Sequence, residues 1–233
     1  MKRTHYGLIL LLAVLTLLPR MAGAVTIEDE KMNTAAEVLR EVMAIPEKSI
    51  PPQLLSNAYG IAIIPGMVKV GLIIGGRYGQ GVVSVRNANG QWGHPVFITV
   101  TGGSLGFQVG AQSTDLVLVF KTRKGVEGLL DGKFTIGADA SAAAGPVGRQ
   151  AGAATDLQLG AEILSYSRSR GLFAGVALDG AVIEVDQTAN GNFYRQPNIL
   201  PRTILDGQGV RSSEPEERLR RLLQQYSTRP VEG

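Results

Sequence analysis

Between Gly60 and Gly191 the chain places 25 of its 30 glycines in 132 residues. Average glycine usage is about 7%, and a glycine inside a strand costs roughly 0.5–1 kcal/mol relative to alanine. Such crowding is tolerable where the backbone must bend sharply, bulge or approach another backbone closely. One phrase of the stretch also recurs. Gly71-Leu72-Ile73-Ile74-Gly75 is echoed by Gly171-Leu172-Phe173-Ala174-Gly175, and Val82 and Val85 by Val182 and Val185. A looser copy runs from Gly106-Phe107-Gln108-Val109-Gly110 to Val117. The pattern reads as a repeated glycine-spaced strand unit in a small, strongly curved β structure.

The first 24 residues read as a signal peptide. Lys2 and Arg3 precede an apolar run from Gly7 to Leu18, then Pro19 and the small triplet Ala22-Gly23-Ala24. A run of this length is too short to span a bilayer, which takes about 20 residues, and it suits cleavage near Ala24. A periplasmic or secreted protein is expected. The chain has no cysteine, which removes a bacterial lipoprotein anchor at the cleavage point, disulfides and thiolate chemistry. The leader also carries Lys2, Arg3 and Arg20 and no acid, so the remainder holds 20 basic and 20 acidic residues. Overall charge therefore gives no attraction to nucleic acid, and none is expected as a partner. Locally the balance differs: residues 25–50 carry three basic and six acidic groups, and residues 66–202 carry twelve and nine.

After the leader, Thr26 with Asp29 suits a helix start, and apolar residues from Met32 to Met43 recur at helical spacing over about Ile27 to Ala44. Pro51-Pro52 begins a second, shorter helix that ends before Gly60. The period then shifts to short strands at 61–64, 69–74, 81–86, 95–100, 105–111 and 116–122. Gly-Gly, Asn-Ala-Asn-Gly and Gln-Ser-Thr-Asp turns punctuate them, with Asn89-Gly90 the clearest hairpin signal. A short helix over 125–130 and strands at 133–137, 156–167, 172–178 and 181–186 follow. Residues 196–212 read as an extended linker. Ser213 with Glu216 caps a last helix to about Tyr226, with Leu219, Leu222, Leu223 and Tyr226 as its apolar face. The fold class is α+β. One domain is expected over 25–195, with helices in 27–58 and a curved, barrel-like antiparallel β core over 61–186, followed by a linker and amphipathic helix over 196–233.

Catalytic and metal-binding patterns are missing. Beyond the leader there is one histidine, His94, between Gly93 and Pro95, which reads as a turn residue. Gly79-Gln80-Gly81 lacks the third glycine of a dinucleotide fingerprint. Gly132-Lys133 is followed by Phe134 rather than a hydroxyl residue, so the phosphate-loop pattern fails too. Asp115, Asp131, Asp139 and Asp156 fit no calcium loop. Asp139 and Ser141 allow a hydrolase in principle, but turn and capping roles account for them. No catalytic residue, metal or cofactor is expected.

Several segments, in order, resemble the SYLF domain. They are Ala58-Tyr59-Gly60-Ile61-Ala62, Lys69-Val70-Gly71, Gly75-Gly76, Gly79-Gln80-Gly81, Trp92 with Pro95, Gly106 with Gly110, Asp139-Ala140-Ser141, Gly145-Pro146-Val147-Gly148-Arg149, Ser165-Tyr166-Ser167 and Gly171 to Gly175. The match covers roughly Ala35 to Tyr194. It implies a non-enzymatic lipid-binding module; eukaryotic SYLF proteins are associated with phosphoinositide membranes and, in the yeast branch, with actin. An exported chain meets no actin, so the expected partner is an anionic phospholipid of the bacterial cell envelope. Lys69, Arg77, Arg149, Arg168 and Arg170, in or beside the family motifs, are the candidate lipid-binding residues. Lys69 and Arg170, each just ahead of its glycine phrase, are expected to share a face. The alternative is an envelope structural or protein-interaction module with no lipid ligand.

Overall fold

Thr26 opens α1 (Ile27–Met43) with a reciprocal cap. Its hydroxyl accepts from the Asp29 N–H, and the Asp29 carboxylate accepts from the Thr26 N–H. Met32, Ala35, Ala36, Val38, Leu39 and Val42 then bury one face of the helix, as the periodicity requires. The short α2 (Pro52–Ser56) starts on proline. In this computed structural model the described residues are 25–45, 49–71, 74–87, 89–105, 110–148, 160–169, 172–176, 178 and 180–228. The leader and its cleavage point therefore lie outside them. No helix among the described residues is long and apolar enough to cross a membrane.

Nine strands among the described residues form one curled sheet. They are β1 (Gly60–Gly71), β2 (Ile74–Val85), β3 (Val96–Leu105), β4 (Gly110–Phe120), β5 (Lys133–Thr135), β6 (Ala142–Ala144), β7 (Ile163–Ser169), β8 (Leu172–Gly175) and β9 (Val182–Val185). The order is β5-β9-β3-β2-β1-β4-β7-β6, with β8 on β7. The expected α+β class with a strongly curved sheet is what forms. The sheet is mixed rather than antiparallel throughout, because Ala142–Ala144 runs parallel to β7.

Both faces of the sheet are covered over the first half of β1. Ile61, Ile63, Val82, Phe97, Val117, Val119, Leu164 and Tyr166 pack against α1 and the C-terminal helix on the convex side. Ala62, Ile64, Val83, Ile98, Leu116, Leu118, Phe134, Ile163 and Ile183 meet inside the curl. Val126 and Leu129 of α3 (Arg123–Leu130) and Ile204 of α5 (Pro201–Asp206) join that inner cluster. They close one mouth of the curl, the one formed by the Gly60 end of β1.

A one-residue bulge at Pro65-Gly66 separates the two halves of β1. Ile63 pairs with Val82 and Val68 with Tyr78, so β1 spends one residue more than β2. Gly66 adopts φ +56° there, a conformation that favours glycine, and its N–H donates to Asp115 Oδ1 at 2.9 Å. The extra residue reverses the facing of everything after it. Odd positions point outward before the bulge, as at Ile61 and Ile63, and inward after it, as at Met67.

The glycine phrase has a different role from the strand unit expected. Gly71 ends β1 and Ile74 opens β2; Leu105 ends β3 and Gly110 opens β4; Ser169 ends β7 and Leu172 opens β8. All three copies mark chain reversals, and residues 72–73, 106–109 and 170–171 lie outside the described ones. Conversely, Gly75-Gly76 and Gln112 to Asp115 are not turns: ladder pairing continues through Gly75-Gly76 in β2 and through Gln112 to Thr114 in β4, and Asp115, opposite the bulge, pairs with Arg168 on β7.

Within the extended linker expected over 196–212, a short helix forms, α5. Ahead of that segment α4 (Gln187–Tyr194) also folds onto the sheet. The fully buried Asn190 side chain accepts from Phe97 N–H at 2.9 Å and donates to Phe97 C=O at 3.0 Å, and Ile199 and Ile204 are buried. The last helix, α6 (Glu214–Ser227), carries the expected Ser213/Glu216 capping box and packs Leu219 and Leu223 against α1. Glu216 is fully buried with Oε1 2.5 Å from His94 Nδ1, which gives His94 a structural role.

Candidate functional site

The inner face of the sheet carries one row of side chains at the end of the curl away from α3. Strand rise is about 3.3 Å per residue, which places the row about 30 Å from the Gly60 end of β1. Lys69 on β1 is register partner to Arg77 on β2 and to Gln112 on β4. Gln112 Nε2 donates to Ser169 Oγ on β7 at 3.2 Å, and Ser169 is paired with Leu172 on β8. The row therefore reads Arg77, Lys69, Gln112, Ser169, Leu172.

Two features shape this row. Arg77 lies over Gly102, its partner on β3, where a Cβ would come 3.4 Å from the arginine Cγ and Cδ. Its Nη2 donates to Gly103 C=O at 3.0 Å. Glycine in β3 thus leaves the space in which the guanidinium stem lies flat. Lys69 has no carboxylate partner among the described residues. At the far end of the row, three strands from Lys69, Leu172 is 71% exposed, a large apolar group held in water on the same face as the two cations.

Of the five basic residues singled out in the sequence, the structure brings Lys69 and Arg77 together and separates Arg168 from them. Arg168 points to the convex face. Its Nε and Nη2 both donate to Asp115 Oδ2, at 3.0 and 2.7 Å, and Nη2 also pairs with Glu41 of α1. It is a clamp between helix and sheet. Arg149 and Arg170 lie outside the described residues, and with Arg170 the face it was expected to share with Lys69.

Asp139 and Ser141 take turn roles. Asp139 Oδ2 accepts from Thr135 N–H, and Ser141 and Glu162 exchange backbone-to-side-chain hydrogen bonds. Among the described residues no cluster of His, Asp or Glu could hold a metal ion.

A cleft of about 300 Å³ at the plugged mouth, lined by Tyr59, Arg86, Arg123, Glu127, Arg202 and Asp206, was not legible in the sequence. Its arginines are largely spent. Arg86 donates to the carbonyls of Ala58, Leu55 and Gly90 and lies 4.3 Å above the Trp92 ring, and burial lowers its pKa. Arg202 pairs with Asp131. With Glu127 and Asp206 present as well, the cleft presents mixed charge rather than an anion site.

The family profile described as "Ysc84: Las17-binding protein actin regulator" matches residues 101–226. Among curated proteins, "SH3 domain-containing YSC84-like protein 1" of Xenopus laevis is 33% identical over 189 residues, covering 78% of this chain and 56% of that protein. The human protein of the same name is 34% identical over 78% of this chain and 55% of its own length. "LAS seventeen-binding protein 3" of Saccharomyces cerevisiae is 36% identical over 80% of this chain and 41% of its own. The chain thus spans about half the length of the relatives it matches.

Proposed function

The chain belongs to the Ysc84 (SYLF) family, a binding and regulatory domain type, and from that premise we propose that it is a non-enzymatic module that binds anionic phospholipid at the bacterial cell envelope. The observation that carries this reading is the row at the end of the curl away from α3: Lys69 and Arg77 paired on one face, with Leu172 exposed at the row's end. Cations and a solvated aliphatic group spread along one face suit headgroup phosphates at an acyl surface. Each basic group near an anionic surface contributes about 1 kcal/mol, and burying a leucine about 1.5–3 kcal/mol. Together they correspond to a dissociation constant on the order of 1 mM for one contact. Binding by the row alone is therefore weak, and Arg149 and Arg170 are proposed to add to it.

Flotation with phosphatidylglycerol or cardiolipin vesicles at millimolar lipid and low salt tests the reading. Wild-type protein is expected to co-float, and the Lys69→Glu/Arg77→Glu double variant to lose most of that fraction; no co-flotation of wild type sinks the proposal. A periplasmic or secreted location after cleavage near Ala24 is part of the same proposal, checked by cell fractionation and N-terminal sequencing. Although the matched family profile names an actin regulator, no co-sedimentation with actin filaments is expected.

A further inference from the structure

Beyond the bulge the sheet exposes large apolar side chains on both of its faces. Met67 points inward, so by alternation Val68 and Val70 point outward, and Tyr78, the cross-strand partner of Val68, points out with them. Val68 is 41% exposed, Val70 49% and Tyr78 52%, while on the inner face Leu172 stands in water at the end of the cationic row. A folded partner seated on one face would leave the other solvated. An occupant that covers both has to surround the end of the sheet, as a fluid apolar phase does.

Charge at this end has one sign. The strand residues beyond the bulge are 67–71, 74–78, 101–105, 110–114, 169 and 172, and they hold Lys69 and Arg77 but neither Asp nor Glu. At the Gly60 end, by contrast, Glu127 and Asp206 stand among the arginines. The order along β1 also matters. A rise of about 3.3 Å per residue puts Val70 about 3 Å, Lys69 about 7 Å and Val68 about 10 Å from Gly71, where the strand ends. The first acid met is at the Val68 level, where Glu30 of α1 shares a groove with Val68 and Tyr78. From the end inward the sequence is therefore apolar, cationic, aromatic, acidic. That is the polarity profile of a bilayer interface, where apolar groups sink about 5–10 Å, lysine heads reach back to the phosphates and tyrosines sit among the headgroups.

We infer that the end of the sheet beyond the bulge enters an anionic bilayer end-on, with Val70 and Leu172 at the acyl boundary, Lys69, Arg77 and Tyr78 among the headgroups, and Glu30 left outside. The inference rests on the lipid reading of the row and adds the mode of contact: partial insertion rather than adsorption by charge. Two features limit the depth. Strand ends carry unpaired backbone groups that the hydrocarbon core does not accept, and the Glu30 carboxylate is repelled by anionic headgroups.

Because the chain has no cysteine, a single introduced cysteine reports one position. The environment-sensitive fluorophore NBD is attached to Val70→Cys, to Leu172→Cys and, as the reference at the opposite end, to Lys124→Cys in α3. Each labelled protein is mixed with phosphatidylglycerol vesicles, with and without nitroxide-labelled acyl chains. Emission from positions 70 and 172 is expected to shift to the blue and to be quenched by the nitroxide, and emission from position 124 to stay unchanged. Without labels, Val70→Ser/Leu172→Ser is expected to weaken vesicle partitioning by about tenfold or more. Both positions are solvent-facing, and equal melting temperatures check that the variants fold. Labels at 70 and 172 that stay unshifted on vesicles carrying the protein overturn the inference and leave adsorption by the row. A blue shift without nitroxide quenching overturns it too, since the label is then covered by protein. Wild-type protein that does not float at all fells the lipid reading, and this inference with it.

Discussion

The indole N–H of Trp92 donates to Ser227 Oγ at 2.9 Å, and the same hydroxyl donates to Leu223 C=O. Both side chains are buried, Trp92 at 2% exposure and Ser227 at 6%. The last turn of α6 is thereby tied to the loop ahead of β3, with Arg220 Nε adding a bond to Trp92 C=O at 3.0 Å. Ser227→Ala leaves a buried donor unpaired, which costs about 1–3 kcal/mol. The expected result is that loss in urea unfolding with an unchanged m-value. Trp92→Phe removes the donor as well, so in the Ser227→Ala background it is expected to add less than it does alone.

Asp115 serves two clients: Oδ1 accepts from Gly66 at the bulge, and Oδ2 takes both guanidinium bonds of Arg168. Asp115→Ala is expected to destabilise by about 2–4 kcal/mol, since it removes both Asp115 bonds from a partly buried arginine, leaving it only the half-exposed Glu41, and frees the bulge N–H. Arg168→Ala should cost less, about 1–2 kcal/mol. Thermal melts of both variants check the ranking, and Arg168→Ala is expected to float on vesicles like wild type.

Gly145 faces the ring of Tyr166, and a Cβ built there would fall 2.1 Å from Tyr166 Cζ. Tyr166 is fully buried, so neither partner can move aside cheaply. Gly145→Ala is expected to cost about 3 kcal/mol or more. Combining it with Tyr166→Leu should recover part of that loss, which a double-mutant cycle measures.

Burial raises the Tyr166 phenol well above its ordinary range. For Tyr194 burial is again the main cause, with the Glu216 carboxylate adding to it. A phenol whose folded pKa is raised holds its proton longer in the native state. Stability from this source is therefore complete below the unfolded value of about 10 and is lost as pH climbs above it. The unfolding free energy is expected to hold up to about pH 10 and then fall, with a slope of about 1.4 kcal/mol per pH unit for each tyrosine. Tyr166→Phe should flatten that slope, and a slope unchanged in the variant refutes the assignment.

Elements with local signals were legible in the sequence. Helices α1 and α6 announce themselves through Thr26/Asp29 and Ser213/Glu216, each a side chain closing on a backbone three residues away. Glycine density reports curvature and close approach, but not where in the strands they fall. Gly79 and Gly81 sit inside β2 because side chains there would meet Ile64 Cγ2 at 2.6 Å and Ile63 C=O at 2.2 Å. That crowding comes from a bulge in a different strand. Likewise α4 has asparagine and glycine in its middle, weak helix formers, and holds its shape through Asn190 pairing with Phe97. At the candidate site, the cross-strand meeting of Lys69 and Arg77 was within reach of a hairpin reading. The neutralisation of Arg168 was not, because Glu41 and Asp115 approach it from distant parts of the chain.

The extra residue at Pro65-Gly66 does more than kink β1. Because facing alternates along a strand, the parity of the count before Val68 decides which groups go to which side. Shortening the strand there by one residue would keep every amino acid of the far half and exchange their destinations. Lys69 would face α1 and its acids, and Val68 and Val70 would turn into the mouth of the curl. The polarity of both surfaces is thus encoded in a length, so insertions and deletions in this loop-like stretch of β1 are the mutations to which its binding behaviour is most exposed.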